Sequence, residues 1–142
     1  MRHVVTAKLL LFDADRNVLL LQRSETHPHA ALEYDLPGGE VDASDLSAEA
    51  AIVREVLEET GLVILPKDLS LVYAETLVEN NESRVRLAFI ARYNEKKPDV
   101  TISWEHRAFE WVTVDEAFAK FTSDEFLHPL IHLRDTHLFP SK

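Results

Sequence analysis

GGEVDASDLSAEAAIVREVLEETGL, residues 38–62, joins a glycine turn to a stretch dense in acid. Its second half spells a helix. Ser47 is a suitable N-cap, Glu49 falls in the first turn where its charge meets the positive end of the helix dipole, and Gly61 suits the position just past the C-terminus. At 3.6 residues per turn, Glu55, Glu58 and Glu59 fall within an arc of about 100°. Ala50, Ile52, Val53, Val56 and Leu57 occupy the other side, so the pattern predicts an apolar face that packs and an acidic face that stays open. Carboxylates this close repel, by about a few tenths of a kcal/mol per i,i+4 pair. A divalent cation would remove that penalty, and hard cations such as magnesium prefer carboxylate oxygens while keeping positions free for water and phosphate. Arg54, one turn before Glu58, is placed to hold that side chain. The competing reading is a solvated acidic face. Pro37-Gly38-Gly39 weighs against it, because a tight glycine turn lets backbone carbonyls approach a bound ion.

The stretch resembles the Nudix box, whose pattern is Gly, five residues, Glu, seven residues, Arg-Glu, an apolar residue, any residue, Glu-Glu, any residue, Gly, apolar. Arg54 to Leu62 fits at every position. Upstream, Asp45 stands where the family has its first Glu, and one extra residue separates it from Arg54, which leaves the role of Asp45 open. The resemblance implies a fold and a chemistry. The fold is an α/β class, an alpha/beta/alpha sandwich with a mixed β-sheet between helices, formed by residues 1–142 as a single domain. The chemistry is hydrolysis of a nucleoside diphosphate linked to another group, by water attack on phosphorus, with Mg2+ as cofactor and Mn2+ as a substitute. Glu55 and Glu59 are then metal ligands, Glu58 a further ligand direct or through water, and the Gly38 carbonyl completes the shell. Arg54 belongs to the same catalytic cluster, Gly39 borders the substrate, and Arg23, an Arg after the second strand, is a phosphate contact. The family does not place its general base uniformly. Glu105 is the candidate, as a carboxylate from a separate loop, with Glu58 the alternative. A non-catalytic domain that senses a nucleotide metabolite is the other functional class, and retention of all three box glutamates favours the enzyme.

Composition sets the bounds. A chain of 142 residues with 46% hydrophobic content suffices for one core. A formal charge of -10 and a pI near 5.1 exclude a nucleic-acid polymer as the expected partner and leave small nucleotides, whose charge a metal can meet locally. The absence of Cys removes disulfide and thiolate chemistry. No leader pattern and no apolar run of about 18 residues is visible, so the expectation is a cytoplasmic protein without a membrane span. Homodimers are common among similar proteins, and no interface signature stands out.

In chain order, Val4 to Phe12 and Val18 to Gln22 read as a strand hairpin around the polar turn Asp13 to Asn17, with near-continuous apolar character that implies burial on both faces. The variable loop Ser24 to Glu33 follows Arg23, which reads equally as a surface arginine paired with Glu25 or an Asp. Tyr34 stands where the family often has Trp and reads as packing. Leu69 to Val78 and Arg84 to Tyr93 form a second hairpin, in which Arg84, Arg86 and Arg92 share one face. That face reads as solvated, with a phosphate-facing groove as the alternative. Val100 to Ser103 is expected as a short strand, and Glu105-His106 with the following aromatics echoes a segment that many Nudix enzymes carry. Thr113 and Glu116 have capping-box spacing, so a helix should begin near Val114. Pro129 suggests that the last helix starts there. His128 and His132 have i,i+4 spacing without an evident third metal ligand.

Overall fold

The structure is a computed structural model, and it describes residues 1–140. Strands β1 (Arg2–Phe12), β2 (Val18–Arg23), β3 (Tyr34–Asp35) and β4 (Gly38–Glu40) precede helix α1 (Ala48–Thr60). Strands β5 (Ser70–Glu79), β6 (Glu82–Arg92) and β7 (His106–Val112) follow, then helices α2 (Val114–Lys120) and α3 (Asp124–Thr136). The sheet is mixed and lies between helices: β1 runs parallel to β6 and antiparallel to β4, β5 closes one edge, and β2 carries β3 and β7.

The apolar runs explain the layering. In β1, Ala7, Leu9 and Leu11 enter a core with Ile52 and Val56 of α1, while Leu10 and Phe12 enter a second core with Ala117, Phe126, Leu130 and Leu133 of α2 and α3. Alternate residues point to opposite faces, so a strand covered on both sides must be apolar throughout. β6 obeys the same rule at its end: Phe89 and Ala91 face the first core and Ile90 the second.

The expected first hairpin is real but short-lived. β1 and β2 register only at Phe12 with Val18, after which β1 gives the same edge to β4 at Lys8, Ala7 and Thr6. This fork leaves a wedge in the sheet, and the turn between β3 and β4 sits in it. At the closed end, buried Asp13 ties the fork together, accepting from the backbone N–H groups of Asp15 (2.9 Å), Asn17 (2.8 Å) and Lys97 (3.0 Å). The second hairpin turns at Asn80-Asn81, both with positive φ, the conformation that a two-residue turn between twisted strands requires.

Three expectations are corrected. Val100 to Ser103 forms no strand; Thr101 instead donates its N–H to Thr60 O at 2.9 Å, and Val100 and Ile102 pack on the first core. α3 does not start at Pro129 but runs unbroken from Asp124, capped by the Ser123 hydroxyl, with Pro129 buried inside it. Burial of Phe126, Leu130 and Leu133 on one stripe outweighs the hydrogen bond that the proline cannot make. Finally, α1 is rotated from the expected orientation: Ala51, Ile52, Val56, Glu59 and Thr60 are its buried residues, while Leu57 is about half exposed. Glu59 belongs to the packed sector of the helix, not to the open one.

Burial alone would raise the carboxyl pKa of Asp13, but the N–H groups of Asn17, Lys97 and Asp15 hold it below the ordinary value. Asp13 therefore contributes stability above pH ~3.8 that is lost as pH falls through its lower folded value. Asp13→Ala should cost about 2–4 kcal/mol at pH 7, read by urea unfolding, and the difference from wild type should shrink below pH 4.

Candidate active site

The wedge of the fork is floored by Lys8 of β1. Its ammonium group spends all three donors, on Asp35 Oδ1 (3.0 Å), Leu36 O (3.2 Å) and Gly38 O (3.1 Å). Asp35 also accepts from Arg23 Nε at 3.3 Å and stands 3.1 Å from His106 Nε2. Burial pushes the Asp35 carboxyl upward, yet Lys8, the His106 hydrogen bond and Arg23 together hold it well below the usual carboxylate range. Asp35 is therefore ionised and only accepts, which puts the proton of His106 on Nε2. Its other nitrogen, Nδ1, is buried without a partner, 4.0 Å from Glu59 Oε2.

Above this floor the two glycines do different things. Gly38 has φ +128°, and a Cβ there would meet Ala7 O at 2.1 Å. Its N–H donates to Glu59 Oε1 at 2.8 Å, tying the turn to α1. A Cβ on Gly39 would meet Glu55 Oε1 at 3.0 Å, so this glycine makes room for the Glu55 carboxylate. Burial raises Glu59 to about 8, against the pull of Lys8 and the Gly38 N–H, and burial likewise raises Glu55.

Arg54 is more than a neighbour of Glu58. It grips Asp45 with two parallel bonds, Nε to Oδ1 at 2.9 Å and Nη2 to Oδ2 at 2.8 Å, and donates from Nη1 to Glu55 Oε1 at 2.9 Å. Hydrogen bonds from Arg54 draw the Asp45 carboxyl down to about 2. The open question about Asp45 thus has a geometric answer: it anchors the arginine that orients Glu55. Glu58 lies 3.5 Å from Arg54 Nη1 with its side chain 59% exposed.

A cleft of about 420 Å³ opens over these groups. It brings together Arg23, Gly38, Gly39, Glu55, Glu59 and Glu105, and excludes Arg54 and Glu58 from its walls. Arg23 is committed to Asp35 and to His29 O (3.1 Å), so it holds the loop over residues 24–33 as well as bordering the cleft. Glu105 faces His27 Nε2 at 3.8 Å, with its side chain 39% exposed. Arg84 and Arg86 also line the cleft, while Arg92 lies at the far end of β6 and donates to Ala14 O. Among the described residues, no three His, Asp or Glu side chains gather closely enough to enclose an ion. His128 accordingly sits with Glu75 Oε1 at 2.8 Å and His132 against the Tyr73 ring.

Sequence reasoning missed Lys8 and Asp35. A signal was present: Lys8 is the one charge in the run from Val4 to Phe12, and a charge in a strand covered on both faces needs a buried partner.

A mixed sheet between helices, with a glutamate-rich helix packed behind a Gly-Gly turn, defines a class in which acidic side chains are presented to a polar cleft. The chain belongs to the NUDIX domain family, whose match spans residues 1–133. Its fold is similar to that of a MutT protein from Methanosarcina mazei Go1 at 23% identity, with 98% of this chain and 97% of that one covered and a TM-score of 0.78. The NUDIX domain of Shewanella oneidensis NrtR, solved with ADP ribose, is similar at 20% identity, 96% and 90% coverage and a TM-score of 0.77. A Bacillus subtilis (strain 168) protein named "Putative 8-oxo-dGTP diphosphatase" is 42% identical over 55 residues, which take in 39% of this chain and 33% of that protein. Among the described residues, no helix is long and apolar enough to cross a membrane.

The two glycines should respond differently to a methyl group. Gly38→Ala drives a Cβ into backbone and should cost about 3 kcal/mol or more in urea unfolding. Gly39→Ala displaces only the end of the Glu55 side chain and should stay within about 1 kcal/mol of wild type. Equal losses would contradict the packing described for the turn.

Proposed function

We propose that the protein is a metal-dependent pyrophosphohydrolase that cleaves the diphosphate linkage of a nucleoside triphosphate or another nucleoside diphosphate derivative. The observation that carries this reading is the pairing of Glu55 and Glu59 beneath Gly38-Gly39 on one cleft wall, both with raised carboxyl pKa values. Two partly desolvated carboxylates side by side resist joint ionisation, and a cation between them relieves that cost. The donor set is all oxygen, which suits magnesium, with manganese as a substitute.

Glu55 and Glu59 would hold the metal, with the Gly38 carbonyl contributing its second lone pair and Glu58 acting from the rim through water. When bound, the ion supplies positive charge to the diphosphate oxygens and acidifies a water. The chain's own residues do the rest. Arg54, fixed by Asp45, aims Glu55 and acts by positioning. The Lys8–Asp35 pair fixes the Gly38-Gly39 turn. Arg23 and Gly39 would border the phosphates, with His27 and His29 of the loop that Arg23 holds on the same cleft wall. Glu105 is the better candidate for general base, since it lies on the cleft wall and Glu58 does not. Its half-exposed carboxylate can accept a proton from a water in the cleft and release it to solvent.

The name of the Bacillus subtilis relative and the ADP ribose held by the NrtR domain support nucleotide derivatives as the substrate class. The test is magnesium-dependent product release from nucleoside triphosphates, nucleotide sugars, ADP-ribose and dinucleoside polyphosphates, with and without chelator. Turnover of one class, abolished by chelator, is expected. Folded protein that binds nucleotide but turns over none of the panel would instead favour a metabolite sensor.

Removing one charge from the metal pair should be decisive. Glu59→Gln should lower kcat by roughly 10³-fold while circular dichroism stays that of the folded protein. Glu105→Gln should lower kcat by roughly 10²–10⁴-fold with KM little changed. Normal turnover in a folded Glu59→Gln protein would overturn the metal assignment.

A further inference from the structure

The loop over residues 24–33 is built onto the peptide of Glu105. Ser24 donates its N–H to Glu105 O at 2.9 Å, the His27 N–H closes a turn on Ser24 O at 3.2 Å, and Arg23 Nη1 holds His29 O at 3.1 Å. This scaffold brings the His27 side chain, 12% exposed, to Glu105, with Nε2 3.8 Å from Oε2. Both residues line the cleft.

A neighbour fixes the place of the proton on the His27 ring. The N–H of His29 donates to Nδ1 at 3.1 Å, so Nδ1 is an acceptor and the neutral ring carries its proton on Nε2, the nitrogen that faces Glu105. Burial, and then the charge of Arg23, hold the ring below the ordinary histidine value, against the pull of Asp35 and Glu105. The His106 ring is the other titratable group beside it, 6.4 Å away between centroids. His27 is therefore a neutral donor at pH 7 and has no free lone pair with which to act as a base itself.

Glu105 has no other cation to direct it. Among the described residues no Lys or Arg forms an ion pair with its carboxylate: Arg23 is taken by Asp35, and Arg107 by Glu25. The 3.8 Å gap to His27 is longer than a hydrogen bond, and contacts between catalytic groups commonly shorten when substrate closes a site.

We propose that His27 is the positioning residue of the general base: its Nε2–H, aimed by the His29 N–H, holds Glu105 Oε2 and leaves Oε1 for the attacking water. The proposal rests on the hydrolase reading above, with Glu105 as the base. A base and the donor that orients it act as a unit. The proton that Glu105 takes from water passes to solvent and not along the histidine, because the Nδ1 lone pair is engaged by His29.

The test is a double-mutant cycle on kcat, with magnesium and the nucleotide derivative that the protein turns over fastest. His27→Leu should lower kcat by roughly 10-fold with KM little changed, a part of the roughly 10²–10⁴-fold that a general base contributes. His27→Gln, whose amide keeps an N–H near the place of Nε2, should recover most of that loss. In a Glu105→Gln background the leucine should cost less than about twofold, because residues that act as a unit are not additive. Unchanged turnover in folded His27→Leu, a loss carried by KM, a glutamine no better than leucine, or an equal loss without the Glu105 carboxylate would overturn the pairing. NMR titration of the His27 ring needs no turnover and separates the two proposals. The ring should titrate below the ordinary histidine value, and lower still in Glu105→Gln, which lacks the carboxylate that favours the charged ring. That further fall without turnover of any substrate upholds the pairing while the hydrolase reading fails, and its absence overturns the pairing whatever the turnover.

Discussion

A lysine and an aspartate share the inner end of the cleft, 3.0 Å apart and almost out of reach of water, and the glycine turn that carries the site lies directly beyond them. Leaving either charge buried alone would cost about 3–5 kcal/mol, so the pair can exist only as a pair, with its remaining bonds satisfied. Those bonds are what shape the site. Lys8 reaches forward to the carbonyls of Leu36 and Gly38, and Asp35 reaches sideways to Arg23 and His106. One buried interaction thereby positions the turn, the loop after β2 and the start of β7.

The second constraint is the docking of α1. Its buried sector includes Glu59, whose carboxyl is bonded by the Gly38 N–H and raised by burial, so the helix packs with an acid in place of an apolar group. Such an arrangement is unfavourable for stability and useful for holding a charge in a fixed direction. Arg54 and Asp45 do the same for Glu55 from the opposite side of the helix. The two carboxylates meet at the cleft because separate elements hold each one: the turn holds Glu59 and the α1 arginine holds Glu55.

Much of this was legible in the residues. The two strand hairpins, the capping of α1 by Ser47 and Gly61 and the Thr113 capping box form as the local pattern predicts, because caps and turns are settled by neighbours within a few residues. The failures share one cause. Val100 to Ser103 reads as strand but is drawn to Thr60 instead, Pro129 reads as a helix start but is overruled by the burial of Phe126 and Leu130, and Leu57 reads as packed but faces out. In each case a contact distant in sequence outweighed the local preference.

The sequence by itself determined the family, the mixed sheet between helices and the acidic helix behind a glycine turn, since periodicity and a dense motif encode these locally. Only the tertiary structure decided which carboxylates reach the cleft, what Asp45 binds, and that Lys8, Asp35 and His106 lie beneath the turn. Those facts depend on the fork between β1, β2 and β4, where residues far apart in the chain are brought together, and burial there fixes which charges must pair.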